Sequence, residues 1–373
     1  MPRTPSQTSK PILLLLVLLS LLSTGFGPPV LTNGDASRRR LAPHQVRAMR
    51  QTPPPELTAP AYILADDITG EILLAKNEHE RRSPASMTKL VTALVALERA
   101  RQDMEVVIEA RDVRVYSVMY LKKGEELSLR QLLFMLLIPS DNAAANAIAR
   151  AVGGDVATFV GWMNEYVARL GLKDTHFANP HGYDDPQNYS TAFDMAVIGR
   201  QAMRNAVIAD IVRRPQAIAA WRELDSTNEL LSTYPGAIGI KTGTTDEAGE
   251  CLAALVDRPA GRALSVVMGS KDRFYDTRLL LDYYYNNFAE LHVDLPDTHQ
   301  NRYQDLEHNW HSFWLRQPLT ILVKPWQVDT VSMYRRIDNT DPNPDPERPI
   351  GALIVSLDGG VLTEVPLYVR PTR

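Results

Sequence analysis

Cysteine is almost absent from this chain of 373 residues. The lone Cys251 excludes an intrachain disulfide and any cysteine-rich metal site. Its neighbours Leu252, Ala253 and Ala254 mark it as a small buried hydrophobe rather than a reactive thiol. Basic residues are not in excess: a formal charge of -4 leaves no electrostatic footprint for nucleic acid. No H-E-x-x-H string occurs and His308/His311 is an isolated pair, so a zinc-dependent peptidase has no ligand set, and no metal or organic cofactor is implied. Internal repeats are missing. Long apolar runs are missing as well, except for Ile12 to Leu22, which has the length of a signal peptide and is short for a membrane span. Because Arg3 and Lys10 precede it, residues 1–26 are expected to be a signal peptide or a retained signal anchor, through which an exported protein can touch the membrane.

What is present divides the rest of the chain. Residues 27–59 are rich in proline and carry Arg38, Arg39, Arg40, Arg47 and Arg50, the composition of an extended tether. Within 60–290, Ala61 to Asp66 and Glu71 to Ala75 read as a hairpin around Asp67-Ile68-Thr69-Gly70. Met87, Leu90, Val91, Leu94 and Val95 recur at helical spacing after Ser83 as N-cap and Pro84 at the first helical position. Helices are predicted over Leu129 to Ile138, Ala143 to Val152, Val156 to Leu170, Thr191 to Asn205 and Tyr275 to Phe288, the last packing Leu279, Leu280, Tyr283 and Tyr284. Glu105 to Glu109, Gly239 to Thr242, Cys251 to Val256 and Ala263 to Met268 read as strands, the last three in one antiparallel sheet. Residues 295–373 are expected to form a small β domain, with Leu319 to Val323, Ile350 to Leu357 and Val361 to Val369 as strands and Asp358-Gly359-Gly360 as a turn.

Three short motifs follow one another: Ser86-x-x-Lys89, Ser140-x-Asn142 and Lys241-Thr242-Gly243. Three residues apart on a helix, Ser86 and Lys89 are neighbours, so an uncharged lysine can take the proton of an attacking serine. Ser140, at the break that Pro139 makes between two helices, can pass a proton to a leaving amine, and the Asn142 amide can hold a substrate backbone. Lys241 adds charge that depresses the pKa of Lys89 and attracts a carboxylate, Thr242 offers that carboxylate a hydroxyl, and Gly243 lets a strand edge come close. The backbone N–H groups of Ser86 and Thr244 are the natural oxyanion hole. By composition, S-x-x-K and S-x-N each arise by accident on the order of once in such a chain and K-T-G in roughly one chain in ten. Order and context therefore carry the reading. A second S-x-N, Ser226-Thr227-Asn228, lacks the helix-break setting and is assigned to structure.

The three motifs resemble those of penicillin-recognising serine enzymes. The strings "PASMTKLVTALVALE", "PSDNAAANAIA", "FVGWMNEYVARLGLKDTHFANPHG", "YSTAFDMA", "GIKTGTTDEAGECL" and "VVMGS" are similar to those of the low-molecular-mass penicillin-binding proteins, the serine-type D-alanyl-D-alanine carboxypeptidases of peptidase family S11. The resemblance covers about Ala61 to Phe288 and extends more weakly through "PIGALIVSLDGGVLTEVPLYV". It implies an α+β serine β-lactamase/DD-peptidase fold: a five-stranded antiparallel sheet flanked by helices, beside an all-helical region, followed by the small β domain. It implies Ser86 as acyl-ester nucleophile, Lys89 as proton acceptor, Ser140 and Asn142 as catalytic, Lys241, Thr242, Gly243 and Thr244 as substrate-binding, and Arg273 as a carboxylate-binding arginine. His181, in "NPHG", is read as scaffold. The implied substrate is a peptidoglycan stem peptide, with β-lactams as inhibitors. A secreted serine β-lactamase shares the motifs, but no E-x-x-L-N string occurs to activate water; a β-lactam sensor that acylates once is the reading from another class. Two departures stand out. The middle motif is S-D-N-A where many members have S-G-N-D, and no terminal amphipathic helix precedes Arg373, so anchoring is expected to fall to the N-terminal segment or to be absent.

Overall fold

The computed structural model describes residues 53–371 apart from Asp358; the expected signal or anchor and residues 27–52 of the expected tether lie outside the described residues. Strands β1 (Ala61–Asp66) and β2 (Ile72–Lys76) form the predicted hairpin. A 3₁₀ turn, Ala85–Thr88, then leads into helix α1 (Lys89–Arg99). The α-helix thus begins at Lys89 rather than at Pro84, and Ser83 only receives the Ala85 N–H at 3.4 Å. This difference favours the first motif, because side chains at i and i+3 eclipse on a 3₁₀ turn. A short pair, β3 (Glu105–Val107) and β4 (Glu126–Ser128), is followed by α2 (Leu129–Leu137), whose start is a capping box of Ser128 and Gln131. After the break, Asp141 caps α3 (Asn142–Gly153) by accepting the Ala144 N–H at 2.8 Å, and Asp155 caps α4 (Val156–Arg169) in the same way. Helix α5 (Ala192–Arg204) completes the predicted helical region.

Between that helix and the sheet the chain holds α6 (Ala206–Val212), a hairpin of β5 (Gln216–Ala219) and β6 (Arg222–Asp225), and one helical turn, α7 (Leu230–Thr233), none of them predicted. Strands β7 (Ala237–Thr245), β8 (Gly249–Arg258) and β9 (Gly261–Ser270) complete a five-stranded antiparallel sheet in the order β2-β1-β9-β8-β7, and α8 (Arg273–Asn287) closes it. Alternation along β8 explains its unbroken apolar run. Cys251, Ala253 and Leu255 join the core under the helical region, while Leu252, Ala254 and Val256 pack with Leu280, Leu281 and Tyr284 of α8. The buried stripe of α8 is Leu280, Leu281 and Tyr284; Leu279 is only half-buried. Upstream, Thr58 and Ala59 are fastened to Asp276 of this helix by hydrogen bonds of 2.7 to 3.0 Å.

The C-terminal region pairs β10 (Ala289–Val293) with β13 (Leu319–Val323). A second five-stranded sheet runs β11 (Arg302–Gln304), β12 (Trp310–Trp314), β16 (Gly360–Val369), β15 (Gly351–Leu357), β14 (Val331–Ile337). Its core contains Val293, Phe313, Ile321, Leu353, Val355 and Leu367. Among the described residues no helix is long and apolar enough to cross a membrane.

Candidate active site

Ser86 and Lys89 sit on the 3₁₀ turn with Lys89 Nζ donating to Ser86 Oγ at 2.7 Å. The same nitrogen reaches Asn142 Oδ1 and the His181 carbonyl, each at 2.7 Å. Lys89 is 0% exposed. Burial, then the charge of Lys241, hold its pKa well below the ordinary lysine range, with Asp141 opposing weakly. All three neighbours of the nitrogen are oxygens, and two of them can only accept. The His181 carbonyl can only accept, and Asn142 must present its oxygen because its other end donates to the Tyr116 carbonyl at 3.0 Å and to Tyr183 Oη at 3.0 Å. Once the amine gives up its third proton, two N–H groups are enough for those two acceptors, and its lone pair is left for the Ser86 hydroxyl.

The second motif lies where predicted, at the break between α2 and α3. Ser140 has φ +67°, and its Oγ is buried with no hydrogen-bond partner among the described residues. Ala85, just before the nucleophile, also has a positive φ of +48°, so both hydroxyls sit beside strained backbone, as functional sites often do. The Asn142 amide, expected to hold substrate, has both ends hydrogen-bonded inside the protein, one of them on Lys89.

The third motif lies on β7, the edge strand. Lys241, 1% exposed, donates to the Thr242 carbonyl at 3.1 Å, and burial together with the Arg273 guanidinium brings its ammonium down to about 7. The charge of Lys241 thus lowers Lys89, while the charge of Arg273 lowers Lys241. A Cβ on Gly243 would stand 2.9 Å from the Pro84 carbonyl oxygen and 3.1 Å from the Ser86 nitrogen, so glycine is what lets β7 lie against the Ser86 turn. Thr244 follows at the same edge. Arg273, first residue of α8, is buried. Its Nη1 donates to the Gly243 and Cys251 carbonyls at 2.8 and 3.2 Å, its Nη2 to Thr244 Oγ1 at 2.5 Å and its Nε to Glu250 at 3.3 Å. Of five guanidinium N–H groups, one on Nη2 has no acceptor among the described residues.

Four groups at the site escaped the sequence reading. The Tyr116 and His181 carbonyls are backbone and carry no side-chain signal, and Tyr183 directly follows the loop Asn179 to Gly182 that was read as scaffold. The fourth is Thr227. In the tripeptide assigned to structure, Ser226 and Asn228 do build a turn, since Ser226 Oγ accepts the Asn228 N–H and Asn228 Oδ1 the Leu230 N–H. Thr227, however, meets Thr242 Oγ1 at 2.5 Å. The second S-x-N string was the one available sign. Cys251 is buried, its thiol pushed up to about 11, as a structural cysteine should be. Among the described residues, no three His, Cys, Asp or Glu side chains converge as a metal site would require.

Comparison with known proteins agrees with this geometry. The model of the peptidase S11 family, D-alanyl-D-alanine carboxypeptidase, matches residues 47–272, more than half of the chain. D-alanyl-D-alanine carboxypeptidase DacF of Bacillus subtilis is 28% identical over 378 residues, 96% of this chain and 93% of the relative. Penicillin-binding protein 5 of Haemophilus influenzae superposes with a TM-score of 0.72 at 28% identity, covering 85% of this chain and 98% of that one. The Streptomyces K15 DD-transpeptidase gives 0.59 at 31% identity over 62% of this chain and 98% of its own. The fold is the α+β penicillin-recognising one, and the chain belongs to peptidase family S11, the D-alanyl-D-alanine carboxypeptidases.

Proposed function

We propose that this chain is a serine D-alanyl-D-alanine carboxypeptidase that trims peptidoglycan stem pentapeptides. Exported behind its N-terminal apolar segment, it works on the wall and is open to acylation by β-lactams. The observation that carries the reading is the fully buried Lys89 amine 2.7 Å from Ser86 Oγ, its pKa held well below the ordinary lysine range by burial and by Lys241. Lys89 takes the hydroxyl proton as Ser86 Oγ bonds to the carbonyl carbon of the penultimate D-alanine. The N–H groups of Ser86 and Thr244 receive the oxyanion. The C–N bond then breaks, and Ser140, whose hydroxyl is uncommitted, relays the proton to the departing D-alanine amine. Lys241, Thr242 and the spare N–H of Arg273 receive the terminal carboxylate. Water cleaves the ester and restores the enzyme.

The test is incubation of the purified protein with a synthetic stem pentapeptide and assay of free D-alanine, together with intact-mass mapping after benzylpenicillin. Release of D-alanine and a single adduct on Ser86 are expected. No release, or an adduct elsewhere, sinks the proposal.

A pH profile separates the two lysines. Lys89 must be uncharged, so the rate falls only as pH drops into the range of its lowered pKa. Lys241 must be charged to attract the carboxylate, so kcat/KM of the free enzyme should decline above about pH 7, while kcat, measured with carboxylate bound, should hold to higher pH. A Lys241→Arg variant should lose the alkaline limb in kcat/KM; a limb that persists unaltered assigns it to another group.

A further inference from the structure

Thr227 bridges two walls of the site. Its backbone N–H donates to the Ile138 carbonyl at 3.3 Å, two residues before Ser140, and its hydroxyl lies 2.5 Å from that of Thr242 on β7. The turn made by Ser226 and Asn228 holds it there, ahead of α7. Two hydroxyl oxygens this close share one proton between them, and either can be its donor. A substrate carboxylate can only accept. When Thr242 turns its proton to that carboxylate, its own oxygen must receive from Thr227.

We infer that Thr227 is a positioning residue for recognition of the terminal carboxylate: it fixes the proton of Thr242 toward the anion. The inference rests on the proposed role of Thr242 and extends it to a residue outside the three motifs. Its effect belongs to binding. Its hydroxyl is bonded to Thr242 and not to Ser86 or Lys89, so KM should move and kcat should not.

The experiment is steady-state D-alanine release from a stem pentapeptide by the full chain and by Thr227→Val, Thr227→Ser, Thr242→Val and the double valine variant. Val keeps the shape of Thr without its hydroxyl, and intact mass after benzylpenicillin verifies that each variant is folded. Thr227→Val should raise KM about fivefold with kcat nearly unchanged, the scale of one lost hydrogen bond. Thr227→Ser should restore KM, and the double variant should be no worse than Thr242→Val alone. A KM rise in Thr242→Val without one in Thr227→Val, or losses that multiply in the double variant, overturns the inference and leaves the carboxypeptidase reading intact. Unchanged KM in both single variants removes Thr242 from the carboxylate site, and the inference falls with it.

Discussion

Lys89→Met is expected to slow acylation of Ser86 by about 10³-fold, the scale of a positioned general base. Methionine keeps much of the buried volume but offers no basic lone pair. Lys89→Arg is the sharper variant. If Lys89 acted as a fixed positive charge, arginine would retain much of the rate; if it acts as proton acceptor, arginine, which never deprotonates, should be as slow as methionine. Stopped-flow acylation by a chromogenic β-lactam measures both. An arginine variant with more than a tenth of the parental rate would remove the base from the mechanism. The stakes are high because the three contacts of Lys89 lie on three elements: the 3₁₀ turn, α3 and the loop carrying His181. The active base is therefore a product of tertiary packing as much as of spacing.

That division also explains what the chain revealed in advance. Ser86 and Lys89 could be paired from one dimension, because three residues span a helical turn whether it is α or 3₁₀. Lys241 and Gly243 could be placed through an uncommon tripeptide on a legible strand, and the five-stranded sheet through its apolar runs. Partners that are backbone oxygens could not be placed, since any residue supplies one and only the path of the chain decides which. Arg273 illustrates the middle case: its position at the start of α8 was near the expected one, but its hold on Gly243, Cys251 and Thr244 depends on how β7 and β8 end. In the C-terminal sheet β11, β12 and β14 were missed; β14 mixes Ser332, Met333, Tyr334, Arg335 and Arg336, half of it facing water, so no clean alternation marks it. Helix α6 was missed because Ala206–Val212 is too short for a helical period to separate from a strand-like run.

Gly182→Ala is expected to cost the protein its site and much of its stability at once. Gly182 follows His181 in the loop over the nucleophile, with φ +88°, where an L side chain alone costs ~1–2 kcal/mol. The added Cβ would stand 1.9 Å from the Ala85 carbonyl oxygen and 2.4 Å from its carbon, both backbone atoms of the Ser86 turn. Neither partner can turn aside as a side chain would. The loop must lift, which takes the His181 carbonyl off Lys89 Nζ, or the turn must shift, which moves Ser86 away from β7. Strain and lost packing together should cost ~3 kcal/mol or more and lower Tm by roughly 5–10 °C. Gly171→Ala is the control. It has φ +78° with nothing within 4 Å of the added Cβ, so it carries the conformational cost without the collision. It should lose ~1 kcal/mol and acylate at the parental rate. Calorimetry and acylation kinetics on the two variants separate the causes: a Gly182→Ala protein that matches Gly171→Ala in both would mean that the loop can retreat without disturbing Lys89. In that event the His181 carbonyl is dispensable, and the amine must be held uncharged by burial and Lys241 alone.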